Sequence, residues 1–335
     1  MRSKRIIGYG IVPAIVILFL CNLFYGTVSI PAPAVMDILL GKAPGPEAWQ
    51  HIILLSRLPQ ALTALLAGAA LAVSGLMLQT LFRNPLAGPS ILGISDGANF
   101  GVAVVMLWTG ATASINLSTV AAAFIGALAV LGLILYFSTQ VRNNVLVLII
   151  GMMIGYLASS GISILHSFAT SESIRSYVLW GMGSFSNVSY RQIPFYSGAV
   201  LVGLTGAVLL IKPLNILLLG ENYATNLGVR VLRIRIFILL VTGFLTAVVT
   251  AFCGPVGFIG LAVPHIARLV LRTSNQQYLL PATLLAGAAV ALFCNLLTII
   301  PFGNSLLPLN AVTPLLGAPV ILYVILNRRN AGYFY

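Results

Sequence analysis

Apolar stretches about as long as a bilayer is thick recur along the whole chain, and this repetition restricts the fold more than any other feature. A transmembrane helix needs about 20 mostly apolar residues. Candidate segments of this kind fall at 6–28, 58–82, 91–109, 115–138, 145–168, 193–212, 234–254, 257–272, 278–300 and 309–327. Because 59% of the 335 residues are hydrophobic and only 7% are charged, a soluble globular domain is excluded. We expect an all-α polytopic membrane protein of about ten transmembrane helices in a single transmembrane domain, residues 1–335.

Basic residues divide unevenly between the two predicted sides of the membrane. With the N-terminus in the cytoplasm, all but four of the 17 Lys and Arg residues fall on the inner side, the exceptions being Lys42, Arg57, Arg175 and Arg191. This asymmetry follows the positive-inside rule and predicts that both termini are cytoplasmic. It also accounts for the net charge of +12 without a nucleic-acid partner, because the basic residues stand at the ends of apolar segments rather than in one aromatic-rich patch.

Two outer segments and two helix breaks add detail to this topology. Residues 34–56 and 171–190 are amphipathic and are predicted to lie at the membrane interface. Gly and Pro residues interrupt two helix pairs, at 84–89 and at 253–257. The two pairs run in opposite directions through the predicted topology, which favours an inverted repeat of segments two to five against segments seven to ten.

The predicted spans lack charged residues at their middles and lack catalytic motifs, and this absence disfavours two classes of function. No Asp, Glu, Lys or Arg occupies the middle of a predicted span, which disfavours an ion-coupled secondary transporter. His265 follows Pro264 and is predicted to bond a carbonyl freed by that proline, whereas a contact of His166 with a ligand near the outer face stays open. An intramembrane hydrolase is the enzyme alternative, but the chain has neither a Gly-x-Ser-x-Gly elbow nor a His-Glu-x-x-His motif.

Cofactor chemistry is also disfavoured. The chain has three cysteines, Cys21, Cys253 and Cys294, at no spacing that suits a metal site or a disulfide framework, so no metal site is predicted. The single Gly-Lys pair, at 41–42, lacks the other residues of a phosphate-binding loop. The chain is therefore not expected to hydrolyse ATP, and any energy from ATP must come through a partner.

A polar, turn-rich island interrupts the apolar chain at LNILLLGENYATNLG, residues 214–228, which we call the coupling segment. Its residues 213–219 and 221–227 are predicted to form two short helices that are separated by Gly220 and end at Gly228. Gly220 permits the bend between them, and Gly228 suits a left-handed cap. Glu221, near the start of the second helix, suits the positive end of its dipole, and Glu221→Gln is expected to have a much smaller effect than substitutions at the two glycines.

Several long motifs occur in a fixed order along the chain, and they indicate the function of the coupling segment. They are RLP at 57–59, GAALAVSG at 68–75, QTLFRNPLAGP at 79–89, LGIS at 92–95, YRQ at 190–192, LGENYATNLG at 219–228, GPVGFIGLAVPHIAR at 254–268 and LGAP at 316–319. Together they resemble the permeases of the ABC uptake family for ferric siderophores, haem and cobalamin. The resemblance spans nearly the whole chain, and it implies a ten-helix permease of the cobalamin and iron-siderophore importer type, with short interfacial and coupling helices.

The resemblance also implies the partners of the chain. These are a second permease copy, identical or a close paralogue, two ATPase subunits that carry ATP and Mg, and a periplasmic or lipid-anchored substrate-binding protein. The chain itself then binds no cofactor and resides among the lipids of a bacterial inner membrane. The residues expected to seat the ATPase are Leu219, Gly220, Glu221, Ala224, Leu227 and Gly228.

The translocation pathway is expected between the two permease copies. In the family, segments five and ten line it, the loop before segment five narrows it on the inner side, and the Asn-Pro-Leu break contributes to that narrowing. The corresponding residues define an inner gate made of Arg142, Asn143, Asn144 and Leu86. The expected pathway residues are Met152, Met153, Ser159, Ser160, Asn310 and Thr313.

Several positions depart from the family pattern at the outer face. Gln60, Asn295, Ile299 and Leu306 stand where many relatives carry a charged residue, so two arginines that resemble docking contacts for the binding protein are absent. Arg57 remains as the expected docking residue, with Arg175 or Arg191 compensating. The expected cargo is an iron chelate, either a ferric siderophore or haem, and cobalamin is the alternative.

Overall fold

Helices account for all of the regular secondary structure that the structure describes. The structure is a computed structural model, and it describes residues 2–42, 45–108, 117–141, 143–299 and 307–326, among which there is no strand. Two predicted site positions, Arg142 and Leu306, lie outside these ranges, as do Met1 and residues 327–335. The all-α fold class predicted from the sequence is confirmed.

Apolar helices occur at all ten predicted places. They are α1 (Arg2–Phe24), α4 (Leu58–Phe82), α5 (Ile94–Ala103), α6 (Leu117–Gln140), α7 (Asn144–Phe168), α9 (Ile193–Leu209), α12 (Val231–Cys253), α13 (Ile259–Leu271), α14 (Gln276–Ile299) and α15 (Leu309–Leu326). Five described helices are long and apolar enough to cross a membrane by themselves. The bent pair formed by α9 and α10 (Ile211–Leu218), with 47° between its parts, makes a sixth, and four further apolar helices are shorter.

The short helices lie between the apolar ones. They are α2 (Ala32–Leu39), α3 (Glu47–His51), α8 (Ser171–Gly181), α10 and α11 (Glu221–Asn226). The prediction of one interfacial segment at 34–56 needs correction, because α3 continues through a π-helical turn, Ile52–Arg57, into α4. Glu47–Phe82 is therefore one helix of 36 residues, and only α2 stands apart from it.

The centre of the bundle is formed by α4 and α12. The apolar window of Glu47–Phe82 is 83% buried and that of Val231–Cys253 is 72% buried, whereas that of α7 is only 22% buried. Small residues allow this close packing: a Cβ on Gly75 of α4 would overlap the carbonyl oxygen of Gly260 in α13. The helix that the resemblance assigns to the pathway thus lies at the periphery of a single chain.

The pairs of helices that pack together agree with the predicted repeat. In the first half α5 packs on α6 and on α7, and in the second half α13 packs correspondingly on α14 and on α15. The contacts between the two halves also correspond, because α4 packs on α14 and α12 packs on α6. Each half thus places its third helix against the first helix of the other half.

Two breaks in the apolar helices occur where Gly and Pro interrupt the sequence. The first break begins at Arg83, a left-handed residue with φ 47° that ends α4, and it extends to Gly93. The second break, residues 254–258, separates α12 from α13 and contains Phe258 at φ 65°. His265 Nε2 lies 2.7 Å from the carbonyl oxygen of Pro85, so the histidine is bonded to a carbonyl as predicted, but across to the first break rather than within its own helix.

Candidate coupling and translocation site

The coupling segment has the two-helix geometry that its glycines predict. Gly220 has φ 113° and ψ 149° and separates α10 from α11. At the end of α11, Gly228 has φ 78° and its N–H donates to the carbonyl of Thr225, while the N–H of Val229 donates to that of Ala224. This pair of bonds is a Schellman cap, which leaves α11 with a fixed end.

The coupling segment presents an apolar surface. Leu219, Tyr223 and Leu227 are 62%, 52% and 57% exposed, whereas Ala224 between them is fully buried. An exposed apolar patch of this kind marks a surface for another protein or for the membrane. Of the six predicted ATPase-seating residues, Ala224 therefore faces the rest of the chain and supports the surface from beneath.

Arg83 connects the first break to the coupling segment. Its guanidinium donates to the carbonyl oxygens of Leu217 and Leu218 at 3.2 Å and 3.1 Å, which are among the last carbonyls of α10. A cation at a helix C-terminus satisfies carbonyls that have no partner within the helix and complements the helix dipole. A Cβ on Gly220 would lie 3.3 Å from the same guanidinium, so the turn between α10 and α11 packs against Arg83.

Glu221 has a second role that the sequence did not reveal. Its Oε1 accepts a hydrogen bond from Asn144 Nδ2 and lies 3.6 Å from Nη2 of Arg235 in α12. Arg235 is only 4% exposed, and its guanidinium also donates to the carbonyl of Val141 at 2.9 Å. The predicted role at the helix dipole is therefore incomplete, because the Glu221 carboxylate is also the ionic partner of a buried arginine.

One predicted inner gate residue, Asn144, contacts this carboxylate, and Asn143 precedes it in the chain. Asn143 is exposed and caps α7, since its side chain accepts the N–H of Val145 at 2.8 Å. Asn144 also donates to the carbonyl of Leu81 near the end of α4, at 3.1 Å. Leu86, in the first break, is 42% exposed. The structure thus gathers the start of α7, the end of α4 and the coupling segment in one region.

The predicted pathway residues fall into two groups. Met152, Met153, Ser159 and Ser160 lie on the exposed side of α7. The other two, Asn310 and Thr313 in α15, do not present free polar groups to such a pathway.

Asn310 instead holds the second break together. Its Nδ2 donates to the carbonyls of Gly181 and Pro255 at 3.1 Å and 2.7 Å, and its Oδ1 accepts the N–H of Gly257 at 3.1 Å. Thr313 is 2% exposed and borders an apolar cavity of about 220 Å³ between α13, α14 and α15. In this chain both side chains thus lie among packed helices rather than on an exposed wall, and their assignment to the pathway stays a prediction.

Arg57 also differs from its expected exposure. It is 5% exposed, and its guanidinium donates to the carbonyls of Leu23, Phe24 and Val28 at the end of α1. It borders a cavity of about 450 Å³ at the predicted outer side, through which an incoming group can reach it. Arg175 and Arg191 are exposed, as docking residues on a surface would be.

Gln60 and Asn295, two of the neutral residues that depart from the family pattern, bond to each other. Gln60 Nε2 donates to Asn295 Oδ1 at 3.0 Å, and Asn295 Nδ2 donates to Asn22 Oδ1 at 2.7 Å. Asn22 and Asn295 are 2% and 3% exposed. A chain of amides therefore ties α1, α4 and α14 together beside the Arg57 cavity without any charge.

His166 packs against an aromatic ring. Its ring centroid is 5.3 Å from that of Tyr177 in α8, in an edge-to-face arrangement. Among the described residues no group of three or more His, Cys, Asp or Glu could hold a metal ion. Cys21, Cys253 and Cys294 are all free.

Comparison with known proteins identifies relatives along almost the whole chain. The vitamin B12 import system permease protein BtuC of Klebsiella pneumoniae is 38% identical over 277 residues, 82% of each protein. The molybdate import system permease protein MolB of Haemophilus influenzae is 32% identical over 328 residues, 97% of this chain and 96% of that protein.

A solved structure supports the same relationship. It is described as an inward-facing conformation of a metal-chelate type ABC transporter, and it matches with a TM-score of 0.84 and 30% identity over 97% of this chain and 99% of that one. The FecCD transport family matches residues 14–327. The chain is therefore a multi-pass permease of an ABC importer and belongs to the FecCD transport family.

Proposed function

We propose that this chain is the permease of an ATP-driven importer that moves an iron chelate, a ferric siderophore or haem, across the bacterial inner membrane. The observation that carries the proposal is the coupling segment: two short helices with glycine-fixed ends present Leu219, Tyr223 and Leu227 outward, next to the first break. Both termini are then cytoplasmic, and this surface faces the cytoplasm. Since the chain has no phosphate-binding loop, ATP and Mg belong to two partner ATPase subunits, and the chain itself binds no cofactor.

The exposed side of α7 supports a pathway between two copies of the permease. Met152, Met153, Tyr156 and Leu157 are between 39% and 73% exposed on this helix, which has no charged residue. We assign this side to the boundary with a second copy or a close paralogue, with the pathway between them. An apolar and weakly polar wall suits a bulky chelate, because few donors hold the ligand in place during passage.

The outer side is assigned to a periplasmic or lipid-anchored substrate-binding protein. Arg175 and Arg191 are its proposed electrostatic contacts on the surface, and Arg57 contributes only to a group that enters the 450 Å³ cavity. Exposed charges of this kind steer a partner and fix its orientation more than they add affinity.

Cobalamin is the second candidate cargo, and the 38% identity to a vitamin B12 permease favours it. An iron chelate is placed first because the resemblance is to the combined siderophore, haem and cobalamin family, and because the matching solved structure is of the metal-chelate type.

Ligand binding by the binding protein encoded with this permease tests the choice. Titrations with a ferric siderophore, haem, cyanocobalamin and molybdate should give tight binding of one iron chelate. Tight binding of cyanocobalamin alone would select the second candidate, and tight binding of molybdate alone would reject both.

A further inference from the structure

One carboxylate oxygen connects three helices at the predicted cytoplasmic end of the bundle. Glu221 Oε1, at the start of α11, contacts Asn144 Nδ2 of α7 and Arg235 Nη2 of α12. Arg235 continues the connection to the carbonyl of Val141, directly after α6. We call the three side chains Glu221, Asn144 and Arg235 the polar latch.

The latch and Arg83 both attach the coupling segment to the end of α4, where the first break begins. Asn144 also bonds the carbonyl of Leu81, next to the end of α4, and Arg83 follows α4 and caps α10. The first break starts at Arg83, and Leu86 lies within it. A displacement of the coupling segment must therefore either carry the start of α7 and the first break with it or break these bonds.

The latch is better suited than apolar packing to fix the position of α11. A helix of six residues is too short to be stable alone, so its place depends on its caps and on tertiary contacts. Arg235 is 5% exposed at its side chain and Glu221 is 37% exposed, so the pair is partly shielded from water. Hydrogen bonds to ionised groups are shorter, stronger and more directional than neutral ones.

We propose that the polar latch transmits movement of the partner ATPases to the inner gate, with Glu221 as the positioning residue. This proposal rests on the proposed function, because it requires an ATPase seated on Leu219, Tyr223 and Leu227. Glu221 holds α11 to the first turn of α7, and Arg235 supplies the buried positive charge that keeps the carboxylate in place. The gate residue Asn143 is one position from the latch, so it moves when the latch moves.

The test measures cross-linking between two copies of the chain that carry Asn143→Cys, in the full complex with its ATPase and binding proteins. Yields are compared without nucleotide, with ATP and Mg, and with ATP, Mg and vanadate, alongside the rate of ATP hydrolysis. The variants added to this background are Asn144→Asp, Glu221→Gln and their combination. Asp37→Asn is the matched control, because it removes a carboxylate from an exposed ion pair with Lys42 that lies outside the latch.

Asn144→Asp sets two carboxylates against each other and removes the donor. We expect it to reduce the nucleotide-dependent change in cross-linking about 5-fold or more, in line with a coupling free energy between sites, while the complex still hydrolyses ATP. Adding Glu221→Gln removes the repulsion and supplies a new amide donor, so the combination should recover most of the change. Recovery by a second substitution separates transmission from a simple loss of folding.

Two results would overturn the proposal, and only the second would also reject the proposed coupling to an ATPase. If cross-linking of the Asn143→Cys background changes with nucleotide and Asn144→Asp leaves that change intact, the role of the latch is rejected but the coupling to an ATPase is not. A background that never responds to nucleotide would reject the latch together with the proposed coupling to an ATPase.

Discussion

A hydrogen bond from Asn144 to Glu221 joins the first turn of α7 to the coupling segment. The two residues are 77 positions apart in the chain, and each belongs to a region that the family resemblance assigns to a different task, gating and ATPase coupling. Their contact places residues of both regions within one polar cluster. Substitutions in either region are therefore expected to change both ATP hydrolysis and gate movement.

The glycines of the coupling segment give the first prediction. Gly220→Pro and Gly228→Val should leave the chain inserted but lower substrate-stimulated ATP hydrolysis by the partner, together with uptake. Proline fixes φ near about −65°, far from the 113° of Gly220. A β-branched residue at the φ of 78° of Gly228 costs roughly 1–2 kcal/mol.

The control for these variants is Gly132→Ala, because a Cβ at Gly132 meets no atom within 4 Å and the helix geometry accepts alanine. ATP hydrolysis and uptake are measured on the same reconstituted complexes. Full activity in both coupling-segment variants would remove the segment from the coupling route.

The inner gate gives the second prediction. Cysteines introduced at Asn143 or Asn144 should cross-link between two copies of the chain, with a yield that depends on the nucleotide bound to the partner. Asn143 is the better position, because it is exposed and its replacement leaves the latch intact. If neither cysteine cross-links in any nucleotide state, then the dimer axis or the gate is assigned to the wrong place.

Docking of the binding protein gives the third prediction. Arg175→Glu and Arg191→Glu should slow association with the binding protein, and more strongly at low salt, because exposed charges act through long-range attraction that salt screens. Lys212→Glu is the control, since Lys212 is exposed but lies on the predicted inner side. Association rates equal to wild type at low salt would argue that neither arginine faces the partner.

Arg57 gives the fourth prediction, which concerns stability rather than docking. Arg57→Ala should lower the unfolding temperature in detergent, because it leaves the buried carbonyls of Leu23 and Phe24 without this donor. An unsatisfied buried polar group costs about 1–3 kcal/mol. An unfolding temperature equal to wild type would show that these bonds do not hold the end of α1 to α4.

The sequence predicted the helices and the coupling-segment turns because both depend on local patterns. Runs of apolar residues mark the spans, and the glycines at 220 and 228 mark positions where a positive φ is needed. The pairing of Glu221 with Asn144 and Arg235 could not be predicted in this way. It depends on which helix ends meet in space, and Asn144 lies 77 positions before Glu221 in the chain.

The contacts of Asn310 and Arg57 could not be predicted from local sequence patterns either. A polar residue near the start of α15 fits a pathway as well as it fits a structural clamp, and only the position of the second break decides between them. A basic residue at the outer end of a span suggests an exposed charge. Here the end of α1 folds over Arg57 and presents carbonyls to it, which no local pattern of charge or hydropathy reveals.

The energy source is the most direct test of the whole account. The purified permease, the two ATPase subunits and the binding protein are reconstituted in proteoliposomes. Accumulation of the labelled compound that the binding protein binds is then followed with and without ATP, and with and without a protonophore. Accumulation that requires ATP and ignores the protonophore is the predicted result, whereas accumulation without ATP that the protonophore abolishes would contradict ATP-driven import through the coupling segment.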